Sequence, residues 1–454
     1  ANTNNLMLGS TVDVENDVVP SGLADGDGND GIDDEDGIVL PSTLIGGTTY
    51  NLTANVTNTT GANAYLNAWI DYNLDGDFDA DEKIIDEQTV ADGDTDALVS
   101  FTVPATIGIG RTYVRFRICD GTGNCDTPIG AASNGEVEDY GINLSPEYIP
   151  LSCEPEAYMV QGSDSEWTTL NLVNGDFSSS NDNVINTINA IGYNVTDDRI
   201  WGYYNNGDGT IISPTGQLTV TTKDGSGNWV TTLTNPVEGL PDDPYLLFNV
   251  GDVSLSGHLY LYQQDNSNFY VVDVDPSSPT FLTLLRTVSI EAQEIVDWAF
   301  NPKDGLLYAV RSNDEFLVRI DPANGAVTNL GSSGVTGGSW GAQYFDADGN
   351  MYIAENEAPG YIYRLDLSVP PGTNYDVNNT DLFATSNHSG LGFNDGALCP
   401  NATFNLDFGD APDTYGTTLA NDGARHFMIN FDANTNNLML GSTVDVENDG
   451  VPSG

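Results

Sequence analysis

Basic residues are what this sequence has least of. Only 12 Lys and Arg stand against 67 Asp and Glu, a formal charge of −55, and three of the twelve are lysines, Lys83, Lys223 and Lys303. Phosphate recognition needs a cationic surface, so nucleic acid is excluded as a partner. The same deficit argues against docking on anionic lipid. No apolar run approaches the roughly 18 residues a membrane-spanning helix needs, and no charged-then-apolar leader is present. The reading is a segment that neither spans a membrane nor carries its own export signal. Helical periodicity is nearly absent. His258, His388 and His426 are the only histidines and stand in unrelated contexts, so no nucleophile–base pair or zinc site suggests itself.

Cysteine is sparse but even in number. Four cysteines allow three pairings. Cys119 and Cys125 flank a five-residue, glycine-containing loop, which makes a local bridge easy; Cys153 and Cys399 then bracket a segment of some 250 residues. That arrangement favours an oxidising, extracellular setting. A chain so acidic repels itself unless cations neutralise it, and a divalent ion does so with the fewest particles.

What is present is β-strand grammar and repetition. Ala1–Gly22 reappears as Ala433–Gly454 with Val18 against Gly450 the one mismatch, a period of 432 residues. Long faithful periods mark arrays, so the chain is read as one tandem repeat plus the start of the next, cut from a longer fibrous or surface protein. Alternating runs between 41 and 146 predict a β-sandwich. It follows an acidic leading segment at 1–40 and precedes a linker at 147–151. From 152 to 400 a second grammar appears: strand, Asp/Gly turn, aromatic-bearing strand. Trp201, Tyr260, Tyr308 and Tyr352 mark successive copies. That is the pattern of a β-propeller. The run before Cys399 lacks a second strand and the run after Cys153 lacks a first, so joining them completes a fifth blade, with six blades the alternative. Residues 401–454 read as the leading segment of the following repeat. The fold class expected is all-β, a sandwich followed by a five-bladed propeller.

The motif richest in chemistry is Asp71–Glu82, DYNLDGDFDADE. It fits the EF-hand calcium-loop pattern at every defined position. Asp71, Asn73 and Asp75 would offer side-chain oxygens, Asp77 its carbonyl, Asp79 a direct or water-mediated oxygen, and Glu82 a bidentate carboxylate. Gly76 permits the turn. Hard Ca²⁺ takes six to eight oxygens at a loose radius, which this spacing supplies without flanking helices. A second candidate runs from Asp25, with Asp27 and Asn29 at ligand spacing but the glycine one place late. Asp346 and Asp348 recur where other blades have plain turns and are read as structural.

Asn134–Tyr140 reads NGEVEDY. Gly135, Glu136, Val137, Glu138 and Asp139 resemble the signature of the GEVED domain. AWIDYNLDGDF, the Cys119 region, DFGDAPDTYG, GARH and LGSTVDVEND match the same context. The resemblance covers roughly half the repeat. It implies secretion, surface display and a β-rich fold without established catalysis, in architectures similar to giant adhesins of gliding Bacteroidota that often leave by the type IX route. Glu136 and Glu138 share a strand face: either Arg115 and Arg117 neutralise them, or Glu138 or Asp139 completes the calcium shell.

Five-bladed propellers also house glycosidases that converge carboxylates at the axis. Asp252, Glu291, Glu294, Asp297, Asp346 and Asp395 are acids of that region, but their number follows from composition. Trp201, Trp298 and Trp340 either present aromatic faces to glycans or pack between blades. The expectation is a non-enzymatic, calcium-stiffened extracellular fibre whose partners are its own repeats, through lateral bundling, and cell-surface glycans.

Overall fold

The computed structural model describes residues 4–12, 21, 24, 35–162, 165–183, 187–205, 216–338, 340–356, 360–386, 394–421, 423–428, 438–447 and 449–451. Among these, every regular element is a β-strand or a single turn of 3-10 helix. The chain divides into two units, Ala1–Glu147 with Pro276–Leu282, and Tyr148–Asp275 with Thr283–Gly454.

The first unit holds β1 (Leu6–Leu8), β2 (Thr43–Ile45), β3 (Thr49–Asn58), β4 (Ala64–Ile70), β5 (Lys83–Val90), β6 (Asp96–Thr102), β7 (Gly110–Cys119) and β8 (Gly135–Ser145). Two sheets, β1-β3-β6 and β2-β8-β7-β4-β5, enclose one apolar core. In β6 the core takes Ala97, Val99 and Phe101 while the intervening residues are exposed, the period of two that puts alternate side chains on one face. Cys119 and Cys125 are bridged.

One boundary differs from expectation. The leading segment was to end at residue 40, yet β1 pairs antiparallel with β3, Leu6 opposite Asn58 and Leu8 opposite Val56. Leu6 and Leu8 are 1 % and 0 % exposed. Leu6, Leu8 and Ile38 of that segment lie in the first unit's core, so the segment is part of that unit.

The second unit is built from five four-stranded antiparallel sheets. They are β9 (Glu156–Gln161), β10 (Glu166–Asn171) and β11 (Phe177–Asn183); β12 (Thr187–Asn194), β13 (Arg199–Asn205), β14 (Gln217–Lys223) and β15 (Trp229–Pro236); β16 (Val250–Val253), β17 (His258–Tyr262), β18 (Asn268–Asp273) and β19 (Leu284–Ser289); β20 (Ala299–Phe300), β21 (Leu307–Val310), β22 (Phe316–Ile320) and β23 (Val327–Ser332); and β24 (Ala342–Phe345), β25 (Asn350–Ala354), β26 (Tyr361–Asp366) and β27 (Thr380–Thr385). The first sheet gains its fourth strand from the far end of the unit: β28 (Asn394–Ala397) pairs with β9, Ala397 opposite Tyr158. The Cys153–Cys399 disulfide lies beside that join.

Each sheet's innermost strand touches the next, β12 to β16, β20, β24, β28 and back to β12, a propeller-like closure. The approach is tight at Gly192, where a Cβ would lie 2.4 Å from the Val253 nitrogen. Only glycine fits there.

A short hairpin of β29 (Leu406–Phe408) and β30 (Arg425–Phe427) follows. Phe404, Leu406, Phe408 and Leu419 join the core that contains Tyr352 and Phe383. The start of the 401–454 segment is thus packed into the second unit, which its polar composition concealed.

Candidate functional site

The Asp71–Glu82 turn follows β4 and ends in a 3-10 turn, Ala80–Glu82, that feeds β5. Its shape is held by side chains gripping backbone. Asp71 Oδ1 accepts from Leu74 N at 2.6 Å and Oδ2 from Gly76 N at 3.1 Å. Asn73 Oδ1 accepts from Asp75 N at 2.8 Å. Glu82 Oε1 accepts from Tyr72 N at 2.8 Å, and Oε2 from Asp79 N at 2.9 Å. Asp71 and Glu82 are 6 % and 4 % exposed; a buried carboxylate must be hydrogen bonded, and the loop's own amides do it. Gly76 has φ +90° with open space beyond it, so the left-handed backbone is the reason for glycine there. Leu74 packs its side chain against the first unit's core and pins the loop.

Within this frame Asp75, Asp77 and Asp79 converge at the surface, one carboxylate oxygen from each within 4.8 Å of the others. The carboxyl of Asp79 is pushed above its usual range, chiefly by the charge of Asp77 and also by Asp75 and Asp81. The six expected ligands thus divide. Asp75, Asp77 and Asp79 bring their side-chain carboxylates together. Asp71, Asn73 and Glu82 hold the loop's own amides, Glu82 through both of its carboxylate oxygens. Asp25, Asp27 and Asn29 lie outside the described residues.

The donor set suits a hard cation. Calcium–oxygen bonds run about 2.3–2.6 Å, so two ligands of one ion lie no more than about 5 Å apart. Three exposed like charges at this spacing are what such an ion would relieve.

The GEVED acids work elsewhere. Glu138, 1 % exposed, accepts from Gly37 N at 3.1 Å and from the Tyr140 hydroxyl at 2.8 Å. Burial pushes its carboxyl up to about 7 against the pull of those two hydrogen bonds. Glu136 accepts from Leu8 N. Asp139 forms a two-pronged pair with Arg115, at 2.7 and 2.6 Å. Arg117 donates to the carbonyls of Thr127, Ile129 and Gly130. Glu136 and Glu138 hold the leading segment's amides, and Asp139 takes Arg115, one of the two arginines expected for them. The Arg115 guanidinium that Asp139 holds lies 5.5 Å from the ring centre of Phe78, a residue of the turn.

In the second unit Trp201, Trp298 and Trp340 are each 0 % exposed, so none presents a face to glycan. Trp201 donates to Asp197, Trp298 stacks on Tyr262 and Trp340 meets Tyr363 edge-on. They fill the spaces within and between sheets. Asp346 is a buried turn centre that accepts from Asn350 and the Tyr352 hydroxyl.

Near the ring of inner strands the acids repeat one device. Asp252, Asp297 and Asp395 each cap the following residue's N–H and accept a second N–H from the next sheet, at Phe300, Gln343 and Ile191. Burial raises all three carboxyls, Asp252 to about 7, and the nearby Asp395 charge raises Asp297 further. In each, one oxygen caps the adjacent backbone N–H and the other staples the next sheet. Asp252 also lines a cavity of about 300 Å³ with Tyr260, Phe300, Asn301, Gln343 and Tyr344. Composition alone hid this pocket, since no motif marks it.

Sequence-family comparison accords with this architecture. The chain belongs to the family described as a repeat of unknown function (DUF6923), which matches residues 164–401. The GEVED domain matches residues 65–143, making this a GEVED-containing repeat protein. No curated protein matches. Among solved structures, the calcium-binding protein regucalcin from Agrobacterium tumefaciens is 18 % identical with a TM-score of 0.31, covering 51 % of this chain and 72 % of that one. An auxiliary nutrient binding protein from Bacteroides thetaiotaomicron is 11 % identical with a TM-score of 0.31, covering 78 % and 90 %. A luciferin-regenerating enzyme is 13 % identical with a TM-score of 0.33, covering 52 % and 76 %.

Proposed function

We propose that this chain is a non-enzymatic module of an extracellular tandem-repeat fibre, stiffened by Ca²⁺ and used for adhesion or capture, in the manner of the giant secreted surface proteins of Bacteroidota. The observation that carries this reading is the surface triad Asp75, Asp77 and Asp79 on a turn whose backbone is already fixed by Asp71 and Glu82. Bound there, calcium supplies charge neutralisation and nothing else; the turn residues hold and space the carboxylates. The two disulfides favour an oxidising compartment, and the 22-residue copy favours an array. Within each repeat the first unit is the sandwich and the five sheets are the blades of a closed propeller. Lateral bundling follows from the charge of −55, since neighbouring chains would share bridging cations.

Calcium titration tests this. Binding is expected at about 10⁻⁴–10⁻³ M, the range of extracellular modules. It should be lost on changing Asp75, Asp77 and Asp79 together to Asn, with a lower melting temperature in chelator. Electron micrographs of native material should show straight filaments in calcium and slack ones without it. An unchanged melt in excess chelator counts against the reading.

A second reading has one observation in its favour. The cavity beside Asp252 combines aromatic walls with amide and carboxyl groups, the composition of a small-ligand site. It would make the propeller lectin-like, and glycan-array binding by the full chain, lost on Tyr344→Ala, is its test.

A further inference from the structure

Two copies of one sequence have opposite fates in this molecule. In the first, Leu6, Met7 and Leu8 are buried, at 1 %, 9 % and 0 % exposure. They form β1 on the edge of β3, with Leu6 opposite Asn58, Met7 opposite Thr57 and Leu8 opposite Val56. Leu8 N donates to Glu136, Gly9 N to the Asn55 carbonyl, Thr59 N to the Asn5 carbonyl, and Ser10 is held by Asp36. In the second, the identical Leu438 and Leu440 are 94 % and 97 % exposed. Two leucines left in water, identical in sequence to a pair that is buried in a complementary slot, are an unfinished contact.

We infer that Leu438–Leu440 is the first strand of the sandwich of the next repeat, in which residues 433–454 stand where 1–22 stand here, occupying there the slot that Leu6–Leu8 occupies here. The chemistry of recognition is already on view in how Leu6–Leu8 is held: Val56–Asn58 pairs with it along one ladder, Glu136 takes an amide, and the core receives alternate leucines. The inference rests on the tandem-repeat reading for its biological setting, but not for its contact.

The second copy also has a fixed end. Glu447 N donates to the Leu406 carbonyl, Phe408 N donates to Glu447 at 3.0 Å, and Leu419 N donates to Asp449, so this stretch is pinned to the β29–β30 hairpin. Six residues, Gly441–Val446, separate that anchor from Leu440. Fully extended they span about 20–22 Å. Seating the strand therefore tethers one copy's hairpin to the next copy's sandwich by a short leash, with side chains buried at one end and backbone bonds at the other.

The test uses a chain lacking residues 1–12, which leaves the slot open, and a labelled synthetic peptide Ala433–Gly454. The peptide should bind the shortened chain. It should ignore the full chain, whose slot is filled, and bind at least about 30-fold more weakly as the L438D/L440D variant. A shortened chain that keeps both disulfides and the parent's circular dichroism yet ignores the peptide overturns the inference, as does equal binding of the variant peptide.

Should the shortened chain not fold, a two-unit chain made by continuing Gly454 with residues 23–454 replaces it. There, hydrogen exchange at Leu438–Gly441 should slow at least about 100-fold relative to the single unit; an unchanged rate overturns the inference. Neither measurement involves calcium or filament shape, so a failure of the stiffened-fibre reading leaves both results standing.

Discussion

Glu138→Gln should abolish a pH dependence that the wild-type first unit carries. Glu138 is 1 % exposed and its carboxyl is raised from 4.5 to about 7 by burial, with hydrogen bonds from Tyr140 and Gly37 pulling the other way. A folded-state value above the unfolded one means the folded chain holds the extra proton between these limits. Stability from this group is therefore full below pH 4.5 and is lost as pH rises through 7. At 1.36 kcal/mol per unit the whole loss is about 3 kcal/mol, of which about 2.5 kcal/mol falls between pH 5 and pH 8. Glutamine preserves both contacts, its oxygen accepting from Gly37 N and its amide donating to the Tyr140 hydroxyl. The assay is hydrogen exchange of the core amides of β7 and β8 at the two pH values, corrected for intrinsic rates. The variant should be nearly flat, and more stable than the parent at pH 8. Parallel pH slopes in parent and variant, within about 0.5 kcal/mol, would refute a buried carboxyl titrating near neutrality.

Three further outcomes are expected. Replacing Cys153 and Cys399 by serine frees a loop of 246 residues, worth about 5 kcal/mol in the chain-entropy treatment; with about 2.1 cal/mol/K of unfolding entropy per residue, calorimetry should show that unit melting about 10 °C lower. Gly76→Ala meets no neighbour but forces φ +90° on a β-carbon, so urea unfolding of the first unit should show a loss of about 1–2 kcal/mol without any cavity. Asp395→Ala strips the partner from Ile191 N and should cost the second unit about 1–3 kcal/mol, read by its thermal transition.

Local spacing made much of this legible. The Cys119–Cys125 bridge needs only a short loop between strands, and the inner-strand and aromatic-strand pairs announced themselves by turn chemistry and period. The join of β28 to β9 was readable because each run lacked its mate. What escaped was non-local. Leu6–Leu8 is three residues long and gains meaning only opposite Val56–Asn58. The β29–β30 hairpin looks polar because its inward residues, among them Phe404, Leu406, Phe408 and Leu419, are scattered among polar ones. Glu136 and Glu138 resemble ligands in sequence, and only the fold reveals that backbone amides from 100 residues away meet them. The turn at Asp71 was legible in position but not in division of labour, since nothing in the spacing says which acids will be buried.

The bridge between Cys153 and Cys399 has a mechanical side. Their Cα atoms lie 5.2 Å apart although 246 positions separate them along the chain. Pulled from its two ends, the polypeptide would pass force across that covalent link, leaving the five sheets out of the load path. The five sheets then keep their shape while the chain outside the bridge is stretched.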